Sequence, residues 1–437
     1  VSHDPSAAVG RQAADDAPGA WYVVILLALV YALNIADRYV MSTLIEPIKA
    51  DLGLSDAAVG WLTGASLATF YMIAGIPIAT LADRANRTRL VGAALTLWSL
   101  FTALCGLTQT YWQLFAMRIL VGVGEAGGTP PSTSLISDYF GWRRRAFALS
   151  VFSLGASVGS MLGSGAGLVA DRFGWRSTFF VLGIPGVVLA LVLTFTVKEP
   201  ARGRLDARPA ATGGGFPDML RLAARSPALL HCYMGSFLYC LWAWGLMWWT
   251  PSYLVRSHGM TLGAAGESLA LIHGIGGTAV LIATSVWMRA LVKADIRAVP
   301  RAIALACSVG AIPSIVAYLA HDRGIALAAL WAFIPVTYVV FGPPYALMQN
   351  LAPANLRAQA MSLLLFSSLL GNLIVAPALV GRLSDLLEAR YGAESLRMAM
   401  LPLTVVGFWS AVHWWLAGER LRDGMARAGT LGELARA

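Results

Sequence analysis

The chain has 437 residues, of which 57% are hydrophobic and only 13% charged, with a mean hydropathy of +0.66. A water-soluble protein carries roughly 25% charged residues, so the composition excludes a soluble globular domain and points to side chains that face lipid. The net charge of +9 invites a nucleic-acid partner, but the placement of the basic residues gives it another cause.

Residues 1–20 are polar and rich in Ala and Gly, without the apolar core of a cleaved signal peptide; a flexible tail is expected. About 20 mostly apolar residues suffice for one spanning helix. Twelve such stretches follow, near 21–45, 57–82, 88–109, 111–136, 144–170, 176–197, 229–256, 262–288, 300–320, 324–348, 358–383 and 396–417. The runs are long and continuous, which excludes a β-barrel of short alternating strands. Lipid cannot satisfy an open sheet edge. The expected fold class is therefore an all-α membrane protein with twelve transmembrane helices.

The N-terminal tail, the even-numbered loops and the C-terminal tail hold 22 of the Lys and Arg residues; the odd-numbered loops hold 8. The positive-inside rule then puts both termini in the cytoplasm. It also accounts for the basic charge without nucleic acid.

Span 1 carries Asn34, Asp37, Arg38 and Tyr39. At 1.5 Å per residue, Asp37 lies about 12 Å from the outer end of its span and Arg118 of span 4 about 10 Å from the same side. Two opposite charges at one depth can pair. Glu125 lies deeper, about 21 Å from outside, two turns along span 4 from Arg118 and on the same helix face. An arginine inside a membrane faces a partner or a wet cavity. Neither Asp37 nor Arg118 has a charged counterpart in the second half of the chain, where Trp249 and Leu330 stand at the repeat offset. The loop between spans 2 and 3 carries Asp83, Arg84 and Arg89, a basic loop that by itself sets topology. Span 7 is aromatic: Tyr239 and Trp242 are candidate cavity walls, and Trp248 and Trp249 are candidates for an interfacial belt. His231, His273 and His413 read as packed residues, with His273 alone near mid-span. Cys105, Cys232, Cys240 and Cys307 fall inside spans without CxxC or ligand spacing and read as small buried side chains. No H-E-x-x-H, phosphate-cradling loop or G-x-S-x-G occurs. An enzyme is not expected, nor a metal, a cofactor or direct use of ATP.

The chain repeats itself. Ala82-Asp83 with Arg89 matches Ala294-Asp295 with Arg301; Pro130-Pro131 matches Pro343-Pro344; the run from Arg145 to Ser150 matches that from Arg357 to Ser362; Asp171 matches Asp385. The offsets are nearly constant and equal six spans, so both copies share one orientation, as in transporters built from parallel repeats. The expected division is a 1–20 tail, a 21–197 bundle, a 198–228 linker, a 229–418 bundle and a 419–437 tail.

The 79–89 loop resembles the signature loop of the major facilitator superfamily, with Ala79 and Asn86 in place of its glycines. Met117-Arg118 through Gly122, Gly124, Glu125 and Ala126 resembles that superfamily's span-4 motif. Together with Asn34, Asp37, Arg38 and Tyr39, and with Asp138-Tyr139-Phe140, the chain looks like a bacterial member of the Spinster family of lysolipid and sphingolipid transporters. The resemblance implies the major facilitator fold and proton-coupled alternating-access transport of an amphiphile across the bacterial inner membrane, by a monomer that binds protons, substrate and bilayer. It implies Asp37, Arg118 and Glu125 as coupling residues; Arg38, Tyr39, Tyr239, Trp242 and His273 are expected around the cavity, and Asp83, Arg84, Arg89 and Arg145 at the cytoplasmic gate. Protonation of Asp37 is expected to release Arg118 for Glu125 or for an anionic head group. The alternative is a polyspecific drug or organic-anion carrier of the same superfamily.

Overall fold

The structure is a computed structural model that describes residues 16–82, 84–201 and 215–428. Twelve helical segments follow one another: 20–43, 56–82, 87–105, 111–139, 142–173, 175–196, 227–258, 262–294, 298–319, 323–351, 357–391 and 395–428, numbered here as spans 1 to 12. Among the described residues, nine helical runs are long and apolar enough to cross a membrane, and one of them, Arg357–Ala428, contains both span 11 and span 12. Span 4 falls short because it breaks at 126–128 into Tyr111–Glu125 and Thr129–Tyr139. Span 7 is continuous but rich in Trp and Tyr, whose polar handles lower its hydropathy.

Spans 1 to 6 form one bundle and spans 7 to 12 the other. Within the first, spans 1 and 5 lie backbone to backbone. Gly155, Gly159 and Gly163, spaced by four on span 5, sit against the carbonyls of Ala28, Ala32 and Ala36 on span 1, where any added Cβ would collide. Such stripes of small residues let helices approach when lipid offers no hydrophobic drive for association.

The halves meet through spans 2 and 11 and through spans 5 and 8. The chain enters span 1 and leaves span 12 on one face, called here the terminal face; the opposite one is the far face. Four spans near the seam contain a π-helical turn, at Trp61–Ala65, Cys240–Trp244, Ile272–Gly277 and Leu370–Val375. One extra residue per turn rotates the side chains that follow, a feature often found at functional sites. Two of these turns face each other: Gly64 lies directly against the carbonyl of Leu373.

Parts of the expected tails and linker are ordered. Asp16 accepts a bond from the Gly141 amide at 3.1 Å and the Ala17 amide donates to the Tyr139 carbonyl at 2.8 Å. Span 12 runs on to Ala428. The linker contains a helix, Phe216–Arg225, started by Pro217 and by Asp218 accepting from the Gly215 amide at 3.1 Å.

Candidate functional site

Consecutive helical residues point about 100° apart, and span 1 uses this to aim two opposite charges in two directions. Asp37 turns into the first bundle, where Arg118 donates to Oδ2 at 2.6 Å and Thr102 donates to Oδ1 at 2.5 Å. Arg38 turns toward the middle of the molecule, and its Nε and Nη2 both donate to Glu125 Oε2, at 2.9 and 2.7 Å. Arg118 and Glu125 are seven positions apart, about 10.5 Å along span 4. The long side chain of Arg38 spans that gap. The Tyr71 ring lies under its guanidinium, 5.2 Å away. Glu125 therefore pairs with Arg38 and not with Arg118, although sequence spacing put Arg118 on its helix face.

The two pairs differ in access. The Arg118 and Glu125 side chains are 0% exposed and Asp37 4%, whereas Arg38 is 15% exposed. Arg38 alone of the four lines the central cavity. In this conformation Arg118 lies behind Asp37, and the cation that meets the cavity is Arg38. Among the described residues, Glu125 Oε1 and Arg118 Nε and Nη2 are buried without a protein partner.

The cavity has a volume of about 180 Å³ and lies between spans 1, 7, 10 and 11. Arg38, Tyr39 and Tyr239 are on its wall. Trp242 and His273 are not on the wall of this cavity. Trp242 is packed inside the second bundle, donating to Ser314 at 3.1 Å and touching Phe333, because the π-helical turn around it directs it away from the seam. His273 is buried between Tyr39, 4.9 Å away by ring centroids, and the Tyr338 hydroxyl, 3.0 Å from its Nδ1. Trp248 is no belt residue: it lines the cavity and donates to Asn372 at 2.7 Å. Trp249 is fully buried. Sequence reasoning missed Trp244, Trp248 and Asn372 as cavity residues. Trp244 and Trp248 belong to the aromatic run of span 7, and Asn372 is a polar amide inside an apolar run; both are signals that could have found them.

The far side of the cavity is shut. Tyr39 packs on Trp244 and Trp248, and Ser42 donates to the Trp248 carbonyl at 2.6 Å across the seam. Beyond lies a cluster of charged residues at the seam of the two halves. Arg256 of span 7 grips Asp56 of span 2 with both terminal nitrogens at 2.7 Å and reaches Glu46 at 2.8 Å. Lys49 and Ser384 also donate to Asp56, each at 2.7 Å. Asp385 accepts from the amides of Asp56 and Ala57, both at 2.9 Å, and Asp171 accepts from the amide of Gly263 at 2.7 Å. These bonds, apart from that of Lys49, join the two halves.

At the terminal face, Asp83 lies outside the described residues. Arg84 and Arg89 are exposed, and Arg145 donates to the Ser137 carbonyl at 2.7 Å. The neighbouring Arg87 is the better anchored residue. It is buried and donates to Asp138 at 2.5 Å, Glu199 at 2.7 Å and Ser134 at 2.8 Å, tying span 3 to spans 4 and 6. A bond of the same kind, Arg301 to Glu419 at 2.7 Å, ties span 9 to span 12. No group of three or more His, Cys, Asp or Glu suited to a metal is present among the described residues.

A helical membrane protein of two bundles around a central cavity, with buried charge pairs beside it, is a solute transporter in architecture. The family model described as Major Facilitator Superfamily matches residues 27–376, and the chain belongs to that superfamily of transporters. It is 34% identical over 428 residues to an "MFS-type efflux pump" of Mycolicibacterium smegmatis, covering 96% of this chain and 97% of the relative. It is 28% identical over 395 residues to "Protein spinster homolog 1" of Homo sapiens, covering 84% and 74%. The solved structure of a bacterial homologue of the human lysosomal transporter Spinster, in an inward-facing and unoccupied conformation, is similar with a TM-score of 0.79 at 26% identity, over 93% of this chain and 98% of that one.

Proposed function

We propose that the chain is a proton-coupled secondary transporter that moves an anionic amphiphile, lysophospholipid-like or sphingolipid-like, across the bacterial inner membrane by alternating access. The observation that carries this reading is the division of labour between Asp37 and Arg38. One is buried on Arg118; its neighbour stands on the wall of an aromatic cavity, held by a carboxylate that a proton can neutralise. An arginine is a good ligand for a phosphate, and Tyr39, Tyr239, Trp244 and Trp248 supply apolar surface for a chain. Glu125 Oε1, which takes no bond from the protein among the described residues, can accept a proton while Oε2 keeps Arg38 in place. Neutral Glu125 then holds Arg38 less tightly, and an anionic head group competes for it. Proton and substrate thus favour the same rearrangement, which meets the requirement that each ligand discriminate between states.

The positive-inside bias supports a cytoplasmic terminal face. With the far face latched by Asp56 and Arg256, the molecule is then open inward. Asp83, Arg84, Arg89 and Arg145 serve the opposite gate once the halves rock. The similarity to Spinster proteins supports the lipid reading. The similarity to an efflux pump supports a second one, polyspecific export of drugs or organic anions through the same cavity.

The test is uptake of labelled lysophospholipid by proteoliposomes with and without a pH gradient, for the parent, Asp37→Asn and Glu125→Gln. Gradient-driven movement that both substitutions uncouple supports the proposal. Driven movement of a cationic dye, with lysophospholipid ignored, moves the assignment to the second reading. Lysophospholipid transport with unchanged coupling in both variants overturns the proton sites.

A further inference from the structure

We propose that the linker helix Phe216–Arg225 is a docking surface for anionic phospholipid, lying along the bilayer headgroups at the terminal face. This does not depend on the transported substrate. On a helical projection at 100° per residue, Leu222, Met219, Ala223, Phe216 and Leu220 form one continuous apolar arc of about 160°. The protein covers only part of it. Met219 and Ala223 are buried against the second bundle, while Phe216 and Leu220, one turn apart at the edge of the arc, are 47% and 46% exposed. The opposite side carries Arg221 and Arg225, also one turn apart and both exposed.

The location decides what covers the uncovered edge. The helix ends at Ser226, and span 7 begins at once with Pro227. Leu230 on span 7 is already 50% exposed on the outside of the bundle, so the hydrocarbon boundary lies about 6 Å from the helix end. The other flank is held by span 12, whose 34 residues span about 51 Å. That is well beyond the roughly 30 Å of a bilayer core, and its Arg427 donates to the Arg225 carbonyl at 3.2 Å. A helix at this depth with an apolar edge beside a basic one is the pattern of an interfacial helix: the edge enters the acyl boundary and the arginines meet phosphates. The acid on the helix itself, Asp218, is an exposed partner of Arg221 at 3.3 Å, a pairing of the weak, solvent-screened kind. An anionic headgroup displaces it.

The experiment is hydrogen–deuterium exchange of the full chain in nanodiscs of phosphatidylcholine, in nanodiscs containing phosphatidylglycerol, and in detergent micelles. Amides of 216–225 are expected to exchange about fivefold more slowly with phosphatidylglycerol than with phosphatidylcholine alone, on the order of one arginine's share of the surface attraction. Arg221→Gln with Arg225→Gln is expected to abolish the difference between the two lipids. Phe216→Gln with Leu220→Gln is expected to speed exchange in both. All four side chains are exposed, so these variants keep the bundle contacts through Met219 and Ala223. Equal exchange in the two lipids overturns the assignment. So does protection in micelles that rises with protein concentration, which would place a second copy of the chain on this edge.

Discussion

Replacing Arg256 with Ala should open the far face. Arg256 is 13% exposed and makes four contacts of 2.7–2.9 Å with Asp56 and Glu46, both on the other half. All are lost when the halves separate there. A hydrogen bond to a charged group is worth about 1.5–3 kcal/mol net. Opening returns the guanidinium and both carboxylates to water, which offsets most of the sum, so a differential of about 2 kcal/mol is the reasonable figure. That corresponds to roughly a 30-fold shift between the two states. If the far-face-open state holds about 1% of the parent, the variant should hold about a quarter. Asp56 keeps Lys49 and Ser384, so no buried charge is stranded and the fold should survive. Spin labels at Ala50→Cys and Ala393→Cys, both exposed at the far face on opposite halves, report the separation by pulsed electron resonance. The four native cysteines are buried and should stay unlabelled. A longer-distance population should grow in Arg256→Ala and in Asp56→Asn, and the double variant should add less than the sum. An unchanged distance distribution in Arg256→Ala, with the protein intact, would refute the latch.

Asp37→Asn strands Arg118, which is 0% exposed, and loss of one partner from a buried pair costs about 3–5 kcal/mol. The melting temperature in detergent should fall, and adding Arg118→Gln should recover part of it; an unchanged melting temperature would contradict the buried pairing. Glu125→Gln weakens the hold on Arg38, so binding of an anionic lysophospholipid, read by intrinsic fluorescence of the cavity tryptophans, should tighten several-fold and lose its pH dependence. Weaker binding in that variant would mean Glu125 contacts the substrate directly. Gly64→Ala places a Cβ against the Leu373 carbonyl and should disfavour far-face closure, shifting the spin-label distances as Arg256→Ala does. A variant with the parent's distances would show that the π-helical turns give way locally.

The fold was largely legible because lipid enforces it. Length, apolarity and the arginine bias each constrain spans without tertiary information. Span 4 and span 7 show where that legibility thins: one is broken at 126–128, the other loses hydropathy to its tryptophans. Within the site, the intramembrane charges could be found because a charge in a membrane demands a reason. Their partners could not all be assigned. Helix spacing joined Arg118 to Glu125, but spacing along one helix says nothing about which neighbouring helix supplies a longer side chain. Arg38 reached Glu125 first. Trp242 and His273 were chosen by depth along their spans, and depth does not say which way a side chain is aimed. Each lies in a π-helical turn and off the cavity wall.

The repeat was visible in sequence, whereas its mechanical use was not. Asp171 and Asp385 match at the repeat offset, and a conservative reading takes them as remnants of duplication. In the structure each carboxylate crosses to the other half. Asp385 caps the start of span 2 through the amides of Asp56 and Ala57, and Asp171 caps the start of span 8 through the amide of Gly263. A helix N-terminus carries unsatisfied amides and a partial positive charge that favour an anion there. One duplicated residue thus closes the far face twice, related by the pseudo-symmetry of the halves. Among the described residues, the Asp56 and Arg256 cluster has no such twin at the Asp171 end. The closure is therefore symmetric in its caps and asymmetric in its ion pairs, and the asymmetric part lies on the same flank as the Asn372 and Trp248 wall of the cavity. Trp248 on the cavity wall and Arg256 in the cross-half cluster lie on one continuous helix, two turns apart, so a single rigid element joins the cavity to the far-face closure.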